Sequence, residues 1–182
     1  MRIIALLPLC LLLTSCQTTG PLDEKSPYYI VPSGSRLLLQ QALTIPAHSA
    51  GVLLQGGRVV SGKDVNQYHP HCRLEVNDVR ESLQIVAADE FLVRHAHQED
   101  QMVSVPAFRK AGLSKAGATP SFNVFRTILK LESPRQPQVR LLTCQQWSEP
   151  GIGRHVTIRE IRQALGGIIT LQLPPGASNG AR

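Results

Sequence analysis

The sequence predicts a mainly β domain, an antiparallel sandwich or barrel with one short C-terminal helix. Short stretches of alternating apolar and polar residues, separated by glycine, proline, asparagine and aspartate, are typical of half-buried strands. One stretch near the C-terminus has helical spacing instead. The 182 residues are 42% hydrophobic and 18% charged, which suits a single domain with a core and excludes a disordered chain.

The first sixteen residues have the pattern of a lipoprotein signal peptide. Arg2 precedes an apolar run at residues 3–13, which is shorter than the roughly twenty residues that a spanning helix needs. The run ends in Leu-Thr-Ser-Cys at residues 13–16, which resembles the lipobox of bacterial lipoproteins. The resemblance implies that residues 1–15 are cleaved and that Cys16 carries acyl chains such as palmitate, which hold the protein on a membrane.

Gln17 stands where an aspartate would retain a lipoprotein in the inner membrane. The resemblance therefore implies an outer-membrane lipoprotein facing the periplasm, with the inner membrane less favoured. Residues 16–34 are polar and rich in proline, and we expect the lipidated cysteine and a flexible tether there. Within them, residues 28–31 are apolar and are expected to form an edge strand, to dock on a partner, or to pack on the domain. Residues 174–182 are expected to be a disordered tail.

The chain has four cysteines. Cys10 would leave with the signal peptide and Cys16 would be lipidated, which leaves Cys72 and Cys144. In an oxidising periplasm these two are predicted to form a disulfide bond. The alternatives are a reactive thiol and a pair of metal ligands.

Residues 35–173 are predicted to form the β-rich domain, with eight or nine short strands. Alternation begins at residues 37–45, and residues 52–60 form a hairpin around two glycines. A further strand ends at residue 76, and the polar residues 98–101 are expected to interrupt the pattern. The remaining strands are expected at residues 83–93, 102–105, 125–131, 139–144 and 168–173.

The helical stretch begins with a capping box, in which Thr157 and Glu160 satisfy amides at the helix start. Ile158, Ile161 and Leu165 then form one apolar stripe at helical spacing. Two glycines after Leu165 end the helix. We expect this helix to be a lid on the end of the barrel.

Two histidine pairs raise the possibility of a metal site. His69 and His71, like His95 and His97, are two residues apart, so within a strand each pair would share a face. If the pairs lay on neighbouring strands they could hold copper or zinc, which makes a metal-binding or metal-delivery lipoprotein an alternative. Pro70 breaks the first pair, however, and we predict no metal or other cofactor.

No motif predicts catalysis. The sequence has no nucleophile elbow, no P-loop and no dinucleotide fingerprint, and its acidic residues mark no general acid and base. The prediction is therefore that the protein is not an enzyme. The alternative is an unrecognised hydrolase, which would need a cluster of polar side chains in one cleft.

Charge and composition give a weak indication of partners. Lys+Arg number 19 against Asp+Glu 13, and this net charge of +6 is spread along the chain, so it is a weak signal for a polyanionic partner. Only 4% of residues are aromatic, which argues against stacking on nucleic-acid bases. No nucleic-acid partner is therefore predicted. The arginines could form a basic stripe for lipid phosphates or acidic surfaces, or simply a solvated face. Candidate contacts with a partner are residues 28–31, the loop at residues 109–120 and these arginines. The arginines are Arg36, Arg58, Arg73, Arg80, Arg94, Arg109, Arg126, Arg140, Arg154, Arg159 and Arg162.

A further resemblance is carried by five short stretches, which are residues 45–47, 55–57, 68–76, 140–144 and 160–166. Together they resemble a set of small exported lipoproteins of Gram-negative bacteria that have no assigned function. The resemblance implies pairing of Cys72 with Cys144 and a strand entered through a proline turn within residues 68–76. We therefore expect a membrane-anchored periplasmic lipoprotein that acts as a binding or envelope-assembly module. Its partner would be an envelope protein or a lipid or glycan component.

Overall fold

A computed structural model of the chain describes residues 23–104 and 121–175. This part is mainly β, with ten strands and one short helix. The strands are β1 (Arg36–Leu39), β2 (Leu43–Ile45), β3 (Gly51–Gln55), β4 (Arg58–Val60), β5 (His71–Val76), β6 (Gln84–Val86), β7 (Asp89–Ser104), β8 (Ser121–Glu132), β9 (Val139–Ser148) and β10 (Ile169–Gln172). The helix α1 (Ile158–Leu165) lies between β9 and β10.

Eight strands form one antiparallel sheet in the order β10-β1-β7-β8-β9-β5-β3-β4, and β2 pairs separately with β6. The large sheet curls into a half barrel. These features confirm the predicted mainly β, antiparallel fold with its single C-terminal helix.

Helix α1 packs against β3, β5 and β10, which lie towards opposite edges of the sheet. Its apolar stripe is buried, with Ile158, Ile161 and Leu165 each at most 1% exposed. The predicted capping box is present, because the Thr157 hydroxyl accepts from the Glu160 amide and the Glu160 carboxylate accepts from the Thr157 amide. The face of the sheet turned towards α1 is called the inner face below, and the opposite face the outer face.

The glycine hairpin is formed as predicted. Gly56 and Gly57 join β3 to β4 with φ values of 57° and 73°, a backbone conformation that glycine adopts without steric cost. The Gly57 amide donates to the Ala164 carbonyl at 3.0 Å. A Cβ at Gly166 would lie 2.3 Å from the Gly57 Cα, so the absence of side chains lets this hairpin dock on the end of α1.

A disulfide bond joins Cys72 of β5 to Cys144 of β9, which confirms the predicted pairing. The two residues are directly opposite each other in the register of these strands. Both lie on the inner face and are at most 1% exposed.

Strand β7 differs from the prediction, because residues 98–101 do not interrupt it. It runs for 16 residues and pairs with β8 as far as Ser104. Side-chain polarity did not reveal this strand because most of its second half faces solvent on both sides. Hydrogen bonding to β8, which the alternation of residues does not report, continues the strand.

The alternation around β6 also has the opposite phase from the one predicted. Ile85 is 68% exposed, whereas Gln84 is buried. The side-chain amide of Gln84 donates to the Asp78 backbone carbonyl at 2.9 Å. This hydrogen bond satisfies a polar side chain on the buried side of β6, where the alternating pattern predicts an apolar residue.

Residues 23–34 fold against the domain, which differs from the flexible tether predicted there. Val31 is 2% exposed and belongs to the core, and the Gly34 amide donates to the Val93 carbonyl at 2.9 Å. Glu24 forms an ion pair with Arg162 next to α1. Of the three roles considered for residues 28–31, packing on the domain matches Val31, although Tyr28 is 86% exposed.

Several predictions lie outside the described residues. They concern the signal peptide at residues 1–15, the lipidated Cys16, the loop at residues 109–120 and the tail beyond residue 175. Within residues 23–104 and 121–175, no helix has both the length and the apolar character to cross a membrane.

Candidate functional site: a polar groove on the outer face

The outer face of the sheet carries a groove of about 440 Å³. Strand alternation explains its polarity, since Cys72 and Leu74 of β5 point to the core. The residues that alternate with them, His71, Arg73 and Glu75, point to the outer face. Eight polar side chains define this polar groove, and they are Gln67, His71, Arg73, Glu75, Glu99, Arg126, Thr143 and Gln145.

Four of these side chains form a continuous hydrogen-bonded row across the sheet, called the polar ladder here. His71, Gln145, Arg126 and Glu99 are successive cross-strand neighbours on β5, β9, β8 and β7. Gln145 Nε2 lies 3.1 Å from His71 Nε2, Arg126 Nε lies 3.2 Å from Gln145 Oε1, and Arg126 Nη1 lies 3.2 Å from Glu99 Oε1. The register of four strands therefore positions each group for the next.

The ladder fixes the protonation of His71. Its Nδ1 is 2.9 Å from the His69 carbonyl, which can only accept, so Nδ1 carries the proton. Nε2 then accepts from the Gln145 amide, and the ring is neutral. Burial lowers the pKa of His71, and the bond to the His69 carbonyl partly opposes this effect.

Arg73 and Glu75 neighbour each other on the outer face of β5 but extend in opposite directions. Glu75 Oε1 accepts from the Thr143 hydroxyl of β9 at 2.9 Å. The Arg73 guanidinium lies over β3, where a Cβ at Gly51 would come within 3.1 Å of Arg73 Nε. Within the described part of the chain, neither charge has an oppositely charged side chain within 4.0 Å.

The disulfide lies directly behind the groove. Cys72 separates His71 from Arg73 along β5, and Cys144 precedes Gln145 along β9. The covalent link therefore holds the register of the two strands that supply most of the groove's polar side chains.

An aromatic cluster lies at one end of the outer face. The rings of Tyr68 and Phe122 meet edge-on with their centroids 5.7 Å apart, and the ring centroids of Phe122 and Trp147 are 5.9 Å apart. Val124, opposite Trp147 in register, is 1% exposed. The Trp147 backbone amide donates to the carbonyl of Gln67 at 2.8 Å, and Gln67 lines the groove, so this cluster adjoins the groove.

The histidine pairs considered as an alternative metal site are not brought together. His69 precedes β5, so the strand rule does not apply to it, and it lines a separate cavity of about 360 Å³ beside α1. His95 and His97 stack on β7 with ring centroids 5.6 Å apart, and two strands separate them from His71. Across the residues that the structure describes, no group of three or more His, Cys, Asp or Glu side chains is arranged to hold a metal ion.

Ion pairs with carboxylates engage half of the arginines that could form a basic stripe and that the structure describes. With Arg135, which was not among those arginines, six arginines of the described ranges form ion pairs. These pairs are Arg36–Glu90, Arg94–Glu132, Arg126–Glu99, Arg135–Asp89, Arg154–Glu160 and Arg162–Glu24. Arg109 lies outside the described residues.

The arrangement suits binding by hydrogen bonds and charge. The groove is a cluster of polar side chains in one cleft, which the hydrolase alternative requires. Both ring nitrogens of His71 are engaged, however, and the Thr143 hydroxyl donates to a carboxylate and not to this ring. Glu99 and Gln145 were missed as site residues, and Arg126 was considered only as one of eleven arginines, because only the strand order brings these three beside His71.

A scan of protein-family models and searches of curated proteins and of solved structures found no match to this chain.

Proposed function

We propose that this chain is a lipoprotein of the Gram-negative envelope, anchored through an acylated Cys16 at the outer membrane and facing the periplasm. It acts there as a binding or assembly-accessory module and not as an enzyme. The polar groove is its binding surface, and its partner is an envelope protein or a lipid or glycan component.

The anchoring part of the proposal is supported by sequence. Residues 13–16 resemble a lipobox, and the resemblance to small exported lipoproteins favours the same compartment. The disulfide is of the kind that persists in an oxidising compartment. Because residues 23–34 fold against the domain, only seven residue steps separate Cys16 from Asp23, a reach of at most about 25 Å. An acyl anchor at Cys16 therefore holds the domain close to its membrane.

The binding part depends on one observation, the polar groove with its preformed ladder. Groups that are already ordered lose little conformational entropy when a ligand binds. The ladder orders His71, Gln145, Arg126 and Glu99, and the disulfide holds β5 against β9, before any partner arrives. Since the His71 ring is committed to two hydrogen bonds, the groove is better suited to recognition than to proton transfer.

The test is chemical crosslinking in living cells that produce the full-length protein, followed by affinity purification and mass spectrometry. Gln145→Leu breaks the ladder at both of its neighbours. Gln40→Leu is the matched control, because the Gln40 amide bonds an exposed threonine away from the groove. Cys16→Ser removes the anchor, and incorporation of radiolabelled palmitate measures acylation directly.

We expect wild-type protein and Gln40→Leu to capture the same envelope component, and Gln145→Leu to capture it at least tenfold less. Cys16→Ser should lose both palmitate and the captured component. Equal capture by Gln145→Leu and Gln40→Leu would contradict the assignment of the groove. If the wild-type protein incorporates no palmitate, the proposed acylation of Cys16 is contradicted.

A further inference from the structure

Arg73 differs from the other arginines of the described chain. Three of them are half-buried, namely Arg73, Arg126 and Arg162. Arg126 and Arg162 each form an ion pair with a carboxylate, whereas Arg73 reaches none within 4.0 Å in the described residues. The remaining arginines are exposed, where water solvates a guanidinium at little cost. A half-buried guanidinium without a partner is a charge that a ligand could compensate.

Glu75 presents the complementary feature beside it. Its carboxylate has a hydrogen bond from the Thr143 hydroxyl but no cation within 4.0 Å in the same part of the chain. Arg73 and Glu75 form no ion pair with each other within 4.0 Å, because the Arg73 guanidinium lies over β3 and the Glu75 carboxylate bonds Thr143 of β9. The groove thus presents one cation and one anion without an ion-pair partner on a single strand face.

The other charges of the groove are already satisfied. Arg126 is held by Glu99 and Gln145, and His71 is neutral. Charge complementarity at an interface selects a partner whose charges are opposite in sign to those of the site. A molecule with one oxoanion and one ammonium group is complementary to Arg73 and Glu75.

Resting on the proposed function, we infer that the polar groove binds a zwitterionic ligand, whose carboxylate or phosphate pairs with Arg73 and whose ammonium group pairs with Glu75. A guanidinium binds either oxoanion through two parallel hydrogen bonds. The same chemistry occurs in small free zwitterions and in an ethanolamine phospholipid headgroup. The experiment distinguishes these two sources.

The probes are O-phosphoethanolamine, inorganic phosphate and ethanolamine, titrated into full-length protein in nonionic detergent micelles. The readout is the Nε–Hε resonance of Arg73 and of Arg126 by NMR, with sodium chloride at matched ionic strength as the blank. A second arm compares nanodiscs containing phosphatidylethanolamine with nanodiscs containing phosphatidylglycerol, which lacks the ammonium group. The variants are Arg73→Gln and Glu75→Gln, with the exposed Arg58→Gln and Glu81→Gln as matched controls.

We expect O-phosphoethanolamine to bind at least tenfold more tightly than either half-molecule. Arg73→Gln should reduce its affinity to that of ethanolamine and Glu75→Gln to that of phosphate, while both controls behave as wild type. A response only on phosphatidylethanolamine nanodiscs, lost in the same two variants, also supports the inference and identifies the headgroup as the source.

The inference is overturned if phosphate alone binds as tightly as O-phosphoethanolamine, or if Arg73 shifts no more than it does with chloride in both arms. Failure of this kind is distinguishable from failure of the proposed function. Capture of an envelope component that depends on Gln145 but not on Arg73 or Glu75 would retain the groove and exclude the zwitterion.

Discussion

His71 is the residue whose chemistry the polar ladder constrains most. We predict a neutral ring at pH 7 with the proton on Nδ1, and the ¹⁵N shifts of the two ring nitrogens measure this directly. Because burial lowers its pKa in the folded protein below the usual 6.5, the folded state binds fewer protons than the unfolded state. Its stabilising contribution is therefore complete above pH 6.5 and is lost as the pH falls through the folded pKa.

Replacing His71 with asparagine should flatten the dependence of the unfolding free energy on pH in this window. His48→Asn is the matched control, because His48 is exposed and has φ of 58°, which asparagine tolerates. Urea denaturation between pH 5 and pH 7 provides the measurement. A proton on Nε2, or an equal flattening in the control, would show that the ladder does not hold the ring as described.

Asp89, at the start of β7, is a buried carboxylate. Burial of its carboxylate acts to raise the pKa, but hydrogen bonds from Ser133, Gln136, the Glu90 amide and Arg135 outweigh it and lower the pKa from 3.8 to about 2. Asp89 thus stabilises the fold above pH 3.8, and this contribution is lost as the pH falls towards 2. We predict that Asp89→Asn destabilises the protein at pH 7 by about 2 kcal/mol.

The adjacent Glu90→Gln serves as control for Asp89→Asn, since Glu90 is exposed and pairs with the exposed Arg36. Its loss should be below about 1 kcal/mol. Equilibrium urea unfolding of both variants at pH 7 decides the matter, and equal losses would refute the special role of Asp89.

Among the elements, β5 and β9 are joined by the covalent bond that lies behind the groove. Cys72 and Cys144 are 72 residues apart, and in the chain-entropy model closing such a loop stabilises a protein by about 4 kcal/mol. We predict a loss of this size in Cys72→Ala/Cys144→Ala by urea unfolding. Reduced wild-type protein should show a similar loss, and a loss below about 1 kcal/mol in both would contradict this role.

Helix α1 depends on its first turn. The Thr157 hydroxyl accepts from the Glu160 amide at 3.2 Å, and hydrogen bonds from Arg154, then from Thr157, hold the pKa of Glu160 at about 2 against the opposing effect of burial. Thr157→Ala should cost about 1 kcal/mol in thermal or urea unfolding. Thr157→Ser retains the acceptor and should recover most of this loss; the absence of recovery would mean that packing dominates.

Local sequence predicted these elements well where one local device determines the structure. Two glycines predicted the β3–β4 hairpin, and Thr157 with Glu160 predicted the start of α1. Local pattern failed where a distant partner decides, as in β7, which β8 continues through polar residues. Gln84 shows a second limit, because a hydrogen bond to the Asp78 carbonyl, which the alternation of residues does not report, allows its side-chain amide to occupy a buried position.

For the whole molecule, the sequence predicted the fold class and the disulfide but not the order of strands. The groove depends on that order, since Glu99 and His71 lie on strands separated by β8 and β9. Alternation along β5 predicts that Arg73 and Glu75 share a face, yet it does not say which strands flank them. The same missing order made the two histidine pairs look like one metal site.

The proposed function makes the polar groove the surface through which the anchored protein meets its partner. Photo-crosslinking in living cells tests this claim, with the photoreactive residue placed at His97, which is exposed and lies opposite the groove residue Ile128. The control position is Val59, which is 50% exposed on the edge strand β4. We predict one dominant adduct from position 97 and none from position 59. Equal labelling at both positions, or adducts from position 59 alone, would contradict the claim.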